Sequence, residues 1–504
     1  MPREPIVGGD LLRLITAGMY DDPLVIFREY LQNAADASAS TGRDSGTVQI
    51  NVDPVEASVT ITDDGPGLTR ADAVNRLIPI GNSLKNPSVD RGLRGIGRLA
   101  SLAFADEVHF ATRTDGAHPV TSVCWSGRNL RDPGLRGLDA ATTIEKCTSV
   151  HSLPEGDWPD QFFQVTVKRI ARHAAPTLLN RDAVRRYIAE VCPVPISPTF
   201  PLINEVKDFL AEHTDNFALD VRLDGDESSI LRPFSNALPL SDTYAAPFER
   251  LETRVIPRLD DGEPAAVLWL AHTPYAGSIP RHLGVRGLRA RAGNIQVGSE
   301  AVFGNLFHES RFNGWCVGEV HITDSRIVPN GRRDYFEPGP HLRNLENHIG
   351  AIAHEVSARC RRASSHRNRL RQAENSLRQT ESAKALAHSG YLLPEDATAL
   401  LDRSRQQVSR VEDTLAELQI TSPSADQDGS DLLGEPVDPP LPERFDGLSS
   451  ELIHALKSAF GALAISLPSE SAFDLIQSIL GRVSSQRCAI DPEHSPQAKA
   501  PESD

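Results

Sequence analysis

The sequence predicts an α+β protein in three successive parts: an α/β N-terminal domain, a second α/β domain and a helical C-terminal region that reads as a hairpin or coiled coil. Three observations point there. Thr47 to Val52 and Ser58 to Thr62 alternate like an antiparallel strand pair, strand-like apolar runs return between residues 265 and 322, and from His341 onward apolar residues recur at helical spacing. Taken in order, Asp10 to Ser38 is helical and broken at Asp21-Asp22-Pro23, where Pro23 suits the first turn of a second helix and Asp22 its cap. The second strand runs into Asp63-Asp64-Gly65-Pro66-Gly67. A helix near Arg70 to Arg76 follows, then a Gly/Ser/Asn-rich stretch from Gly81 to Asp90, then Arg91-Gly92-Leu93-Arg94-Gly95-Ile96-Gly97 and a helix over Arg98 to Phe104. Strands near Glu107–Thr112, Thr121–Trp125 and Phe162–Lys168 complete a first sheet, and the first domain is expected to span 1–195.

The second α/β domain is expected over 196–340, with strands at Ala265–Ala271, Gly293–Val297 and Trp315–Ile322. Residues 341–420 read as a long helical hairpin or coiled coil turning between Gly390 and Pro394. The stretch 421–446, rich in Ser, Pro, Asp and Gly, reads as a linker, 447–485 as a short helical segment suited to dimerisation, and 486–504 as a disordered tail.

Composition narrows the function. With 52 basic and 68 acidic residues the formal charge is −16, which disfavours a generic nucleic-acid coat. No run of ~18 apolar residues could span a bilayer, so no membrane partner is expected. Met1-Pro2-Arg3-Glu4-Pro5 lacks the apolar core of a secretory signal. Six widely spaced cysteines with no C-x-x-C pair suggest neither a disulfide framework nor a zinc site, and the expected location is the cytoplasm.

The most informative stretch is Glu29-Tyr30-Leu31-Gln32-Asn33-Ala34-Ala35-Asp36. On a helix Glu29, Asn33 and Asp36 fall within an arc of roughly 60°, while Leu24, Val25, Ile26, Tyr30 and Leu31 mostly take the other side. Two acids and an amide on an inward ridge are costly unless something binds there. Two further elements follow in order: a strand ending Asp63-x-Gly65-x-Gly67, and Gly92-x-x-Gly95-x-Gly97 opening a helix. Alone, each glycine element is an ordinary tight turn; there is no P-loop, and the glycine turn does not follow a strand as a dinucleotide fingerprint would. Together they suit ATP with magnesium. The Asn33 oxygen can take one position on Mg2+, and Glu29 can hold and polarise the attacking water. Asp63 can accept from the adenine amino group, Gly65 and Gly67 let backbone approach the base, and Gly92, Gly95 and Gly97 can offer N–H groups to phosphate.

This ordered trio resembles the GHKL ATPase superfamily of gyrase, heat-shock chaperones, histidine kinases and MutL, whose nucleotide site sits in a Bergerat-type α/β sandwich. The resemblance implies that Glu29, Asn33 and Asp36 form the first motif, Asp63, Gly65 and Gly67 the second, and Gly92, Gly95 and Gly97 the third. It implies a mobile ATP lid over about 77–94, with Ser83 and Lys85 in its Gly81-Asn82-Ser83-Leu84-Lys85 start. The superfamily's final Gly-Thr pair has no counterpart before the strand at Phe162 to Lys168. The run from Leu11 to Ala37 is most similar to the ninety-kilodalton heat-shock and HtpG-type chaperones. Pro329-Asn330-Gly331-Arg332-Arg333-Asp334 resembles their middle-domain loop, whose arginine reaches the γ-phosphate; by that register Arg333 is the candidate and Arg332 the fallback. The resemblance covers about 8–340 and implies a slow, homodimeric, chaperone-like ATPase acting on client polypeptides. The alternative is a nucleic-acid-linked clamp akin to MutL or the MORC proteins, supported by Arg359, Arg361, Arg362, Arg367, Arg369 and Arg371 together with Arg286, Arg289 and Arg291. A sensor kinase fits poorly, because its dimerisation helix and phospho-accepting histidine would precede the ATPase region.

Overall fold

A computed structural model describes residues 7–10, 12, 20–80, 96–215 and 217–420. Most of the first expected helix, most of the expected lid and everything expected beyond residue 420 lie outside the described residues. The chain divides into two compact units, one of residues 1–236, 248–272 and 278–357, the other of 237–247, 273–277 and 358–504.

The first unit is built on a seven-stranded sheet. Helix α1 (Val25–Ala39) precedes β1 (Ser45–Asp53) and β2 (Ser58–Asp63), which are joined in the register Val52↔Val59 and Val48↔Asp63. After α2 (Arg70–Leu77) and a 3-10 helix (Gly97–Ala103) come β3 (Ala105–Arg113), β4 (Thr121–Ser126), the short α3 (Gly127–Arg131), α4 (Ala140–Cys147), β5 (Thr148–Ser152), β6 (Phe162–Ile170), α5 (Arg181–Val191) and α6 (Ile203–His213). The final strand, β7 (Ala218–Leu223), pairs in parallel with β1, so the sheet runs β5-β4-β3-β6-β2-β1-β7 and draws in chain beyond residue 195. Alternation explains β7: Leu219, Val221 and Leu223 are buried while the residues between them are half-buried. The expected helix over Arg98–Phe104 is a 3-10 helix that buries Leu99, Ala100 and Leu102.

Helix α1 starts two residues after its proline. Asp22 nevertheless serves the helix start, accepting the Leu24 N–H on its carboxylate at 3.0 Å. Val25, Ile26, Phe27, Tyr30, Leu31, Ala34 and Ala35 are buried in the core. At ~1.5–3 kcal/mol for each large apolar side chain, this face supplies the main force that seats the helix. Tyr30 adds direction, because its hydroxyl donates to the Arg98 carbonyl at 3.0 Å and lies 2.5 Å from Ser101 Oγ. Helix α1 is thereby tied to the 3-10 helix that starts at Gly97.

The same unit holds a five-stranded sheet. It is made of β10 (Arg250–Pro257), β11 (Pro264–His272), β12 (Gly287–Ala292), β13 (Ile295–Val297) and β14 (Val317–Ile322), in the order β10-β11-β14-β12-β13. Gly293 and Asn294, expected to begin a strand, are the two-residue turn between β12 and β13; both have positive φ, +58° and +64°, as a type I′ hairpin requires. Strand β12 escaped the sequence pattern because Arg289 and Arg291 alternate with apolar residues yet are themselves buried. They and Arg232 surround Glu319. Arg232 Nη1 donates to Glu319 Oε2 at 2.7 Å, Arg291 Nε to Oε1 at 2.5 Å, and His321 Nε2 lies 3.0 Å from Oε2. Burial alone would raise the Glu319 pKa, but Arg232 and Arg291, with His321, hold it well below the usual carboxylate range.

The second unit contains the hairpin of β8 (Ala237–Ser241) and β9 (Tyr244–Pro247), and the greater part of the helical arm. Helix α7 (Pro340–His388) enters this unit at residue 358 and is followed by α8 (Pro394–Ile420). Ala373, Leu377, Val408 and Val411 are buried, and Gln407 Nε2 donates to Gln379 Oε1 at 3.5 Å, so the two helices run back along each other.

Replacing Tyr30 with Phe removes the hydroxyl that serves both Ser101 and the Arg98 carbonyl. The expected loss is about 1–3 kcal/mol of unfolding free energy, measured as a lower denaturant midpoint with an unchanged slope. An unchanged midpoint would mean that apolar packing alone fixes α1.

Candidate nucleotide site

Three sequence-distant elements converge on the inner ridge of α1. Glu29 is largely buried, and its carboxylate fills the space that a Cβ at Gly97 would need. Glycine lets the start of the 3-10 helix approach that acid, and a side chain there would push the Glu29 carboxylate aside. At the other end of the ridge, a Cβ at Gly65 would lie 3.4 Å from Ala37 Cβ and 2.7 Å from Asp63 Oδ1. Gly67, with φ +64°, crosses the Arg113 carbonyl so closely that no side chain fits.

Asp63 ends β2 and is buried, its Oδ1 accepting the Gly65 N–H at 3.0 Å. Burial pushes its carboxyl up to about 7, with the Asp64 charge acting in the same direction and the Gly65 hydrogen bond against it. A buried carboxylate with one backbone donor suits a ligand amino group that adds a second. Asn33 is half-buried and Asp36 is buried on the same helix.

Sequence reasoning passed over Arg28, which is buried at 7% exposure. It donates from Nε and Nη2 to Glu29 Oε1 at 3.1 and 2.9 Å, and from Nη2 to the Arg332 carbonyl at 3.3 Å. Burial works against its charge, but Glu29, aided by Tyr187, raises its pKa overall. The signal was available: an arginine directly before the acid, inside an otherwise apolar run, has either an ion-pair partner or nothing. Buried Gln32, one turn after Arg28, was likewise missed.

The loop carrying Arg332 and Arg333 reaches α1. It is closed by the Pro329↔Phe336 bridge, by Asn330 N–H to the Tyr335 carbonyl at 2.9 Å, and by Asn330 Nδ2 to Asp334 Oδ1 at 2.6 Å. Arg333 sits in the left-handed region at φ +57°, a strained choice for a residue with a Cβ. Its side chain is buried, which lowers its pKa, while the charges of Glu29 and Asp36 oppose that shift and Arg28 adds to it. Arg332 is half-exposed and pairs with Asp21 at 3.5 Å. Of the two candidates, Arg333 is the one within electrostatic reach of the acids on α1.

Ser83, Lys85, Gly92 and Gly95 lie outside the described residues. Among the described residues no group of three or more His, Cys, Asp or Glu could cage a metal. Asn33, half-buried on the α1 ridge, offers one side-chain oxygen of the hard kind that a magnesium ion accepts. None of the described helices is long and apolar enough to cross a membrane. Of the arginines noted for a nucleic-acid clamp, Arg289 and Arg291 are buried in ion pairs and present no basic surface.

The α1 ridge, the strand end at Asp63 and Gly97 all lie in the segment that matches a GHKL-type ATPase domain. Residues 24–131 match the family model for histidine kinase-, DNA gyrase B- and HSP90-like ATPases. The chain's relatives include chaperone protein HtpG of Dechloromonas aromatica, 29% identical over 26% of this chain and 24% of that protein. Chaperone protein HtpG of Shewanella halifaxensis is 30% identical over 24% of this chain and 23% of its own length. The chain thus matches about a quarter of the length of these curated relatives, in its N-terminal region.

The raised Asp63 value has a definite sign. The folded state holds this proton to higher pH than the unfolded chain, so the group's stabilisation is complete below pH ~4 and is lost as pH rises through about 7. Asp63→Asn, which cannot ionise, is expected to gain a few kcal/mol relative to wild type between pH 4 and 8, at ~1.4 kcal/mol per pKa unit. Denaturant melts at both pH values measure it. Equal differences at both would mean that Asp63 ionises freely in the fold.

Proposed function

We propose that this chain binds ATP with Mg2+ and hydrolyses it to ADP and phosphate, using Glu29 as the acid that orients and deprotonates the attacking water. The observation that carries this reading is the meeting of Glu29, Gly97 and the Arg333 loop at one ridge, in a chain with a GHKL-type domain. Glu29 Oε1 is held by Arg28, which leaves Oε2, above Gly97, to take the water's proton. Asp63 accepts from the adenine amino group, and Gly65 and Gly67 leave room for the base. Arg333 offsets negative charge developing on the γ-phosphate, with Arg332 as the fallback. Bound magnesium supplies neutralisation of the phosphate oxygens, with Asn33 holding it from the protein side. Asp36 supports the Arg333 end of the ridge. Ser83, Lys85, Gly92 and Gly95 complete the phosphate contacts in this reading.

The likeness to HtpG chaperones favours coupling of this ATPase to closure and clamping of a homodimer on client polypeptides in the cytoplasm. The division at 195, 340, 420, 446 and 485 assigns the nucleotide, arginine-bearing, arm, linker and dimerisation roles in turn. The burial of Arg289 and Arg291 removes part of the support for DNA as the partner.

Three variants test the chemistry in steady-state hydrolysis and equilibrium nucleotide binding. Glu29→Ala is expected to bind ATP and lose turnover by at least ~100-fold, the range of a positioned general base. Arg333→Ala is expected to lower kcat by ~10³-fold or more with nucleotide affinity kept; the same loss in Arg332→Ala instead would transfer the role. Asp63→Asn is expected to lose affinity, and wild-type affinity to fall as pH drops below about 7 and Asp63 gains its proton. Undiminished turnover in Glu29→Ala would end the assignment of that residue.

A further inference from the structure

The five-stranded sheet meets the seven-stranded sheet through buried charge. The Arg232 N–H donates to the Pro195 carbonyl at 2.8 Å, stitching its backbone to the nucleotide-domain side, while its guanidinium reaches Glu319 on β14 and the Asn294 side chain. Arg291 on β12 donates to Glu319 and, from Nη2, to the Glu190 carbonyl in the last turn of α5 at 2.8 Å. Arg289 bonds Gln296 Oε1 at 2.7 Å and the Glu190 carboxylate at 3.3 Å. Asn294 Nδ2 donates to the Phe217 carbonyl, just before β7, at 2.8 Å.

This seam leads to the loop of Arg333. Strand β13, hydrogen-bonded to β12, is followed directly by Gly298, whose N–H donates to the Arg333 carbonyl at 2.9 Å. A Cβ at Gly298 would come within 2.7 Å of the Asp334 carbonyl oxygen, so the loop is seated directly on the strand end. An apolar interface can slide, since any oily contact replaces another. A set of buried charges with assigned partners cannot, because a shift strands each charge in a low dielectric.

We infer that Arg232, Arg291 and Glu319 are positioning residues for hydrolysis: they lock the second sheet onto the nucleotide domain, so that Arg333 faces Glu29 by construction rather than through ATP-driven docking. This rests on the reading of Glu29 and Arg333 as the hydrolytic pair. Any nucleotide-driven closure then occurs elsewhere in the chain or between copies of it.

The test uses the full chain carrying spin labels at exposed Val55→Cys and Leu259→Cys in a Cys124→Ser/Cys488→Ser background. The expected result is one narrow inter-label distance distribution, the same with no nucleotide, with ADP, and with a non-hydrolysable ATP analogue and Mg2+. A nucleotide-dependent shift would overturn the inference. Glu319→Gln is expected to broaden that distribution and to lower kcat by at least ~10-fold at unchanged nucleotide affinity, without adding to the loss in Arg333→Ala. A Glu319→Gln effect that adds fully to Arg333→Ala, or that falls on affinity alone, would reduce the seam to a structural role. Glu190→Gln, which loosens the Arg289 contact at the partly exposed margin, repeats the measurement should Glu319→Gln fail to fold. A wild-type chain that neither binds nor hydrolyses ATP would end the ATPase reading, while the distance distributions with and without Glu319→Gln would still decide the seam.

Discussion

Helix α1 has to be a core helix and a site helix with overlapping surfaces. Its apolar residues bury against the first sheet, and the same turns carry Arg28, Glu29, Gln32 and Asp36 with little exposure. A one-residue slip would rotate every side chain by ~100° and put the charges into hydrocarbon. The helix is therefore registered from several directions: Tyr30 to the 3-10 helix, Arg28 to the Arg332 carbonyl, and Ala37 against Gly65. Everything the site does depends on that registration.

Buried charge in the first unit has different consequences around Glu319 and near α1. Around Glu319 its members bond one another: Arg232 and Arg291 donate to the carboxylate, His321 lies beside it, and Asn294 takes the Arg232 guanidinium. Near α1 it sits at a strand end and in a loop. Asp63 is driven toward its neutral form and Arg333 is pushed below its ordinary pKa, both chiefly by loss of water. A matched interior cluster holds geometry; groups kept short of their preferred ionisation hold binding potential, which a polar ligand can draw on.

The sequence made the nucleotide motifs legible because each uses residues with few alternative explanations in combination: an acid ridge, a strand-end aspartate and glycines. The strand starts at Ser58 and Thr121 were legible from alternation, β1 was legible although it begins two residues earlier, at Ser45, than the alternation shows, and α7 and α8 were legible from helical periodicity. What misled was charge in the interior. Arg289 and Arg291 looked like a solvated basic strip, and β12 was lost with them, because a sequence pattern cannot show that Glu319 and Glu190 wait opposite. Strand β7 was invisible for another reason: parallel pairing with β1 joins residues more than 170 positions apart, with no turn signal between them.

Residue 333 carries a consequence for selection. The loop holds it in a left-handed backbone conformation that glycine would occupy without strain, yet the residue is a half-buried arginine whose Nη1 is shut away from solvent. Selection for thermal robustness alone would favour glycine here, whereas selection for turnover would retain the arginine. Libraries screened only for heat tolerance should therefore enrich substitutions at this position whose carriers survive heating but have lost function, making residue 333 a gauge of which pressure a population has experienced.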